Sequence, residues 1–106
     1  MSKRNPEGLI QDEIVRHVER HLGGICLKND ATSRQGIPDL TVFLPGGVTV
    51  LLEVKRERPS PSSYRPNQQY YLDRFRKMRH TAWTVFPGNI RQVKDNLAFL
   101  AEKDAA

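Results

Sequence analysis

The segment GIPDLTVFLPGGVTVLLEVK, residues 36–55, consists of two apolar runs separated by Pro45-Gly46-Gly47, and its charged residues lie only toward its two ends. Short runs of β-branched and apolar residues on either side of a glycine-containing turn are typical of a β-hairpin. We therefore predict strands over residues 40–44 and 48–54. This hairpin fixes where the charged residues meet, and the rest of the fold is built around it.

The register of the hairpin decides where its charged side chains lie. If Leu44 pairs with Val48, then Asp39 falls opposite Glu53, and Lys55 returns to the same face because strand side chains alternate. An ionised group without a partner in apolar surroundings costs several kcal/mol, so three such groups at one end of a sheet face indicate a site. The other face is wholly apolar: Leu40, Val42, Leu44, Val48, Val50, Leu52 and Val54.

The carboxylates of Asp39 and Glu53 would repel each other unless one takes up a proton or both bind a cation. Mg²⁺ and Mn²⁺ prefer oxygen ligands, and one or two carboxylates completed by phosphate oxygens and water are a usual set. Lys55 could orient or help to deprotonate an attacking water, or offset charge that develops on phosphorus. These are the requirements of phosphodiester hydrolysis. The alternative is three unrelated strand-end charges that reach solvent.

The remaining segments predict a single α/β domain over residues 1–106. Apolar residues at every fourth position and a following Gly23-Gly24 predict the first helix, and three prolines and three serines make residues 56–66 a loop. The predicted order is α-β-β-β-α-β-α, a mixed β-sheet flanked by helices. Besides the hairpin, the predicted elements are a helix over Leu9–Leu22, a strand over Ile25–Lys28, a helix over Asn67–Arg79, a strand over Ala82–Phe86 and a helix from Ile90.

Charge and composition narrow the class of partner. The chain has a net charge of +5 and a pI of about 9.7, and residues 55–80 hold eight lysines and arginines against two acidic residues. This distribution favours a polyanionic partner, although a solvated basic helix face would look the same. No apolar run approaches the length of a membrane span and no signal peptide is evident. One cysteine, Cys26, suits a reducing compartment, so we expect the cytoplasm of a bacterial or virus-infected cell.

Two short motifs carry a family resemblance. Gly36-Ile37-Pro38-Asp39, followed by Glu53-Val54-Lys55 at the end of the next strand, resembles the PD-(D/E)xK nuclease signature. The ordered set of G-x-P-D-L, a Pro-Gly-Gly turn, E-V-K and a Pro-x-Gln helix start is similar to the VRR-NUC domain within that superfamily. The resemblance covers nearly the whole chain and implies a restriction-endonuclease-like core.

The resemblance also implies roles for individual residues. Asp39, Glu53 and the main-chain carbonyl of Val54 would be metal ligands, and Lys55 would be the catalytic lysine. Glu13 matches the acidic residue of the family's first helix, and would reach the metal through a water molecule. From its own surroundings, Glu13 could equally be a solvated glutamate. Gln68 matches the family glutamine that supports the site, with its neighbour Gln69 as a rival.

The function that the resemblance implies is a Mg²⁺- or Mn²⁺-dependent DNA endonuclease of the standalone viral or bacterial type, selective for branched DNA such as a Holliday junction. It implies a homodimer and no organic cofactor or membrane partner. The basic segment supplies the expected DNA contacts, which are Arg56, Arg58, Arg65, Arg74, Arg76 and Lys77. The alternatives are a DNA-binding module without catalysis and a nuclease subunit that depends on a partner for substrate recognition.

Overall fold

The structure is a computed structural model that describes residues 6–30, 32 and 34–103. The order of helices and strands along the chain is the predicted one. The elements are α1 (Pro6–His21), β1 (Ile25–Lys28), β2 (Leu40–Leu44), β3 (Val48–Val54), α2 (Pro66–Lys77), β4 (Thr81–Val85) and α3 (Ile90–Lys103), with a short 3-10 turn at Pro61–Ser63 between β3 and α2. Residues 1–5 and 104–106, which the predicted domain included, lie outside the described residues.

The four strands form one mixed sheet in the order β1-β2-β3-β4. β2 is antiparallel to both β1 and β3, and β4 runs parallel to β3. Leu44 pairs with Val48 and Leu40 pairs with Leu52, so the predicted hairpin register is confirmed. Continuing this register by one residue sets Asp39 opposite Glu53.

One face of the sheet is covered by α1 and α3. Helix α1 buries Ile10, Ile14 and Val18, a stripe at helical spacing, and α3 contributes Val93 and Leu97 to the same cluster. The predicted apolar face of the hairpin meets these helices, and its members Leu40, Val42, Val50 and Leu52 are fully buried. At about 1.5–3 kcal/mol for each fully buried aliphatic side chain, this layer is the main source of stability.

The opposite face carries the charged end of the hairpin and is only partly covered. Helix α2 lies against β4 and buries Leu72 there. Farther along the same face, Ile25 and Phe43 are opposite each other on β1 and β2, and both are exposed together with Leu27. No helix in the described part of the chain is long and apolar enough to cross a membrane.

Helix α2 begins one residue earlier than predicted. Pro66 occupies its first position, and the residue that caps the helix is Arg65. A proline is well suited to this position because the first backbone N–H of a helix has no intrahelical partner. The Oε1 atom of Gln68, two residues after the proline, accepts a hydrogen bond from the Arg65 backbone N–H at 3.0 Å. This contact fixes the Gln68 side chain at the start of the helix.

Candidate active site

A pair of carboxyl groups lies at the end of the hairpin away from its turn. Glu53 is 2% exposed and is the buried charged residue of the core. Asp39 is partly buried, and its Oδ2 accepts a hydrogen bond from the Val54 backbone N–H at 2.7 Å. Because the N–H and C=O of one strand residue point to the same side, the Val54 carbonyl is directed toward Asp39 as well. The hairpin register thus brings together three of the predicted metal-ligand positions.

The surroundings of the pair make it difficult for both groups to be ionised. Burial and then the charge of Asp39 raise the pKa of Glu53 from its ordinary 4.5 to about 8, although Lys55 opposes the rise. Burial also raises the pKa of Asp39, against the hydrogen bond from Val54. Without a cation, the pair is therefore expected to hold a proton on Glu53 at neutral pH.

Lys55 and Gln68 complete a network with Glu53. The Gln68 Nε2 donates to Glu53 Oε2 at 3.2 Å, and Lys55 Nζ donates to Gln68 Oε1 at 3.0 Å. The Lys55 ammonium also lies 3.7 Å from Glu53 Oε2. The neighbouring Gln69 bonds instead to Asp73 on the outside of α2. Of the two candidate glutamines, Gln68 is the one that contacts the carboxylate pair.

The loop between β3 and α2 holds the Lys55 ammonium in place. Its Nζ donates to the Ser63 carbonyl at 2.9 Å and lies 5.1 Å from the centre of the Tyr64 ring. The Tyr64 hydroxyl is 2.8 Å from Thr84 Oγ1 on β4. The predicted loop over residues 56–66 therefore contains a 3-10 turn and encloses the lysine. The ring of Tyr64 contacts Lys55.

The position of Asp39 is fixed by a residue that the sequence analysis did not single out. Asn29, just after β1, donates from its side chain to the Pro38 carbonyl at 2.9 Å and from its backbone to the Asp39 carbonyl at 2.8 Å. Gly36, with φ +92°, packs so closely on Asn67 that a Cβ would lie 2.7 Å from it. Only glycine fits at this close approach, and it allows the segment before Asp39 to lie against the start of α2.

Glu13 does not join this cluster. Its carboxylate forms an ion pair with Lys94 of α3 at 2.5 Å and is 41% exposed. The carboxylate that α1 presents to the site is Glu7, which lines a cleft together with Lys55 and Ser63 and whose charge contributes to the raised pKa of Glu53. Glu13 lies six residues farther along the helix and on a different side, where it faces α3 and not this cleft. Glu7 was recognisable in the sequence, since it lies three residues before Ile10 and continues the buried stripe.

Two clefts flank the Lys55–Gln68 bridge. One, of about 220 Å³, is lined by Glu7, Lys55 and Arg56. The other, also about 220 Å³, is lined by Asp39, Gln68 and Arg65 among others. An arginine thus stands beside the carboxylate pair on each side. Guanidinium groups bind phosphate oxygens with two parallel hydrogen bonds, so each cleft offers one phosphate-binding group, and the first also carries the carboxylates of Glu7 and Glu57.

The other predicted DNA contacts fall into two groups. Arg74 and Lys77 lie exposed in the last turn of α2 and are free to meet a polyanion. Arg76, in contrast, donates from Nε to the Ala82 carbonyl on β4 at 3.0 Å, and the Arg58 guanidinium lies over the Phe86 ring at 5.3 Å. These two arginines have structural contacts, and only their remaining N–H groups could reach DNA.

The oxygen atoms of Asp39 and Glu53 fit a divalent cation that takes two of its ligands from protein carboxylates. Among the described residues, no group of three or more His, Cys, Asp or Glu side chains is placed to hold a metal. Glu53 Oε1, however, is buried and no hydrogen-bond donor of the described chain reaches it. A cation between the carboxylates would satisfy that oxygen and remove the repulsion, with water or phosphate oxygens filling the other positions.

The chain is similar to known nuclease proteins and nuclease-domain structures. No family model matches the chain. The curated relative "Putative nuclease p44" of Acyrthosiphon pisum secondary endosymbiont phage 1 is 33% identical over 66 residues, which cover 58% of this chain and 71% of the relative. A solved structure titled "VRR_NUC domain" superposes with a TM-score of 0.72 at 35% identity and covers 89% of this chain and 95% of that one. A second, "VRR_NUC domain protein", shares the fold with a TM-score of 0.62 at 16% identity over 98% of this chain and 91% of its own.

Proposed function

The chain belongs to the VRR-NUC family of nuclease domains, and from that premise we propose that it is a Mg²⁺- or Mn²⁺-dependent endonuclease that hydrolyses DNA phosphodiesters. The observation that carries the proposal is the pair of mutually repelling carboxyl groups, buried Glu53 and half-buried Asp39, with the Lys55 ammonium 3.7 Å from Glu53. A non-catalytic DNA-binding module has no use for two acids on a phosphate-facing surface, since they would repel the backbone. A nuclease needs them to hold the cation.

In the proposed site, Asp39, Glu53 and the Val54 carbonyl hold the ion. When bound, a divalent ion supplies Lewis-acid stabilisation of the phosphoryl oxygens and lowers the pKa of a ligated water. Glu7 takes the place that the sequence analysis assigned to Glu13, and reaches the ion through water. With a cation in place, both carboxyls could be ionised at neutral pH, because the ion would stabilise the charge on Glu53 that burial and the neighbouring Asp39 disfavour.

Lys55 acts on the reacting groups. Its Nζ is directed by the Ser63 carbonyl, by Gln68 and by the Tyr64 ring, so its remaining N–H can orient the attacking water and offset the charge that develops on phosphorus. Gln68 links this ammonium to Glu53 and keeps both at a fixed separation. Arg56 and Arg65 bind the phosphates on either side of the scissile bond, so binding should weaken steeply as salt rises.

We also propose that the enzyme works as a homodimer on branched DNA, as the family resemblance implies. Symmetric cutting of two strands calls for two sites related by a two-fold axis. The exposed Ile25, Leu27 and Phe43 on β1 and β2 are the apolar surface that such a dimer would cover. Sedimentation at micromolar concentration tests the assembly, and a monomer throughout the range would refute it. Cleavage of linear, flap and four-way DNA in parallel tests the preference.

The catalytic proposal is tested by comparing Lys55→Ala and Asp39→Asn with the matched surface changes Lys28→Ala and Asp12→Asn. Lys28 and Asp12 form an exposed ion pair between β1 and α1 and are not placed at the site. We expect each site variant to lower the rate of DNA cleavage in Mn²⁺ by a factor of about 10² or more and the controls to cleave normally. Wild-type rates in both site variants would refute the mechanism. DNA binding by a folded wild-type protein that never cleaves would show a binding module instead.

A further inference from the structure

A polar groove of about 310 Å³ runs along the outer edge of β4, between α2 and α3 and away from the carboxylate pair. Its walls include Trp83 and Thr84 of β4, Arg76 of α2, and Gln92 and Asn96 of α3. None of the roles proposed above uses the two α3 residues or the tryptophan. The volume lies at the small end of the range for ligand sites, which suits one flat polar group.

The groove is not built to take an added peptide strand. The outward carbonyl of Ala82 accepts from Arg76 Nε at 3.0 Å, and that of Thr84 accepts from Asn89 Nδ2 at 2.9 Å. The Asn89 Oδ1 in turn accepts from the Phe86 backbone N–H at 2.8 Å. A strand that pairs with β4 would have to displace these side chains, so the exposed edge is already blocked.

The side chains that remain available are those that bind nucleobases. Gln92 and Asn96 are exposed amides one helical turn apart, and the structure records no hydrogen bond of either side chain within the described residues. Trp83 is half-buried and packs against the core, which gives the groove a rigid aromatic wall. No carboxylate lines it in the described part of the chain. Amides and guanidinium groups read base edges, and aromatic rings stack on bases.

The groove is one strand away from the carboxylate pair. Glu53 on β3 pairs with Thr84 on β4, and Thr84 is bonded through Tyr64 to the surroundings of Lys55. A DNA strand whose phosphodiester lies at Glu53 has to pass around α2 and the Tyr64–Thr84 contact, which lie against β4, to place a base in the groove. A base in a duplex cannot do so, because it is paired and stacked.

We propose that this groove binds an unpaired nucleobase of the strand engaged at the carboxylate pair, so that the substrate contains a single-stranded segment next to the cut. This inference rests on the proposed DNA endonuclease function and adds a second contact to it. Besides the remaining N–H groups of Arg76, the groove offers two amides and an aromatic wall to a base, so it should favour an unpaired strand over a duplex.

The sole tryptophan of the chain provides the readout. In metal-free buffer, intrinsic fluorescence is followed while a 15-nucleotide deoxythymidine oligomer is added, and in parallel an abasic oligomer of the same length. Stacking on Trp83 should quench the fluorescence with the first oligomer and not with the second. The double variant Gln92→Ala/Asn96→Ala should bind the thymidine oligomer about tenfold more weakly, an effect within the range for loss of one base contact. Gln11→Ala on α1, an amide outside the groove, should bind it normally.

Equal quenching by the abasic oligomer, or unchanged affinity in the folded double variant, would overturn the inference. If the double variant fails to melt cooperatively, the single variants Gln92→Ala and Asn96→Ala replace it. DNA cleavage in Mn²⁺ separates this inference from the function on which it rests. Cleavage without base-dependent quenching refutes the groove alone, whereas base-dependent quenching without cleavage by the wild type refutes the catalytic proposal alone.

Discussion

Glu53→Gln is expected to stabilise the metal-free protein at alkaline pH while it abolishes cleavage. The substitution keeps the size of a side chain that is 2% exposed and removes its charge. In the wild type above pH 8, Glu53 must be ionised beside Asp39 with one oxygen that no described donor reaches. Glutamine is neutral at every pH, and its amide can donate a hydrogen bond to Asp39. The change thus removes the repulsion between two ionised carboxylates, which only a cation relieves in the wild type at this pH.

The magnitude follows from the pKa of Glu53, which folding raises from 4.5 to about 8. The folded protein keeps a proton that the unfolded chain releases, so this group's contribution to stability is complete below pH 4.5 and is lost as the pH rises to about 8. One pKa unit corresponds to about 1.4 kcal/mol. Between pH 5 and pH 9 the unfolding free energy of the wild type should fall, relative to that of Glu53→Gln, by an amount of the order of 4 kcal/mol. The fall should be smaller if Asp39 shares the titration.

The assay is urea denaturation of both proteins in EDTA at pH 5, 7 and 9, with the exposed Glu102→Gln of α3 as the matched control. We expect the difference in unfolding free energy between Glu53→Gln and wild type to grow with pH, and the control to follow the wild type. Adding Mn²⁺ at pH 8 should raise the wild-type midpoint and leave that of Glu53→Gln nearly unchanged, because only the folded wild type binds the ion. A difference that does not vary with pH would refute the reasoning.

Three further changes test other parts of the site. Glu7→Gln should slow DNA cleavage in Mn²⁺ much more than Glu13→Gln, which disturbs only an ion pair with α3. Equal initial rates for the two variants would contradict the proposal that Glu7, and not Glu13, is the α1 carboxylate that supports the site. Tyr64→Ala should slow cleavage more than Tyr64→Phe, because phenylalanine keeps the ring beside Lys55, and the reverse order would exclude that contact. Arg79→Gly should raise the unfolding free energy by about 1 kcal/mol, because Arg79 has φ 69°, and denaturant melts that show no gain would argue against strain there.

The hairpin and its site could be predicted because their geometry is local. Once Leu44 pairs with Val48, side-chain alternation alone places Asp39, Glu53 and Lys55 on one face. Gln68 came from the resemblance, which left Gln69 as a rival, and the structure shows that Gln68 is the one that contacts Glu53. The structure confirms the register, and the contacts of Lys55 and Gln68 with Glu53 agree with the positions that the resemblance implied.

What could not be predicted depends on how distant elements meet. Apolar periodicity locates α1, but it does not show which end of the helix reaches the hairpin, so it gave no reason to single out Glu7. Arg76 looked like any other solvated arginine of a basic helix. Its bond to the Ala82 carbonyl arises because β4 is an edge strand with outward carbonyls, which the order of elements along the chain does not reveal.

The most direct test of the account is a crystal structure of the protein soaked in Mn²⁺, with anomalous scattering measured to locate the ion. We predict one strong peak between Asp39 and Glu53, within about 2.0–2.3 Å of an oxygen of each and near the Val54 carbonyl, and its absence in crystals of Asp39→Asn. A wild-type crystal that shows no peak there, or a peak bound elsewhere on the protein, would contradict the claim that this pair holds the ion for DNA cleavage.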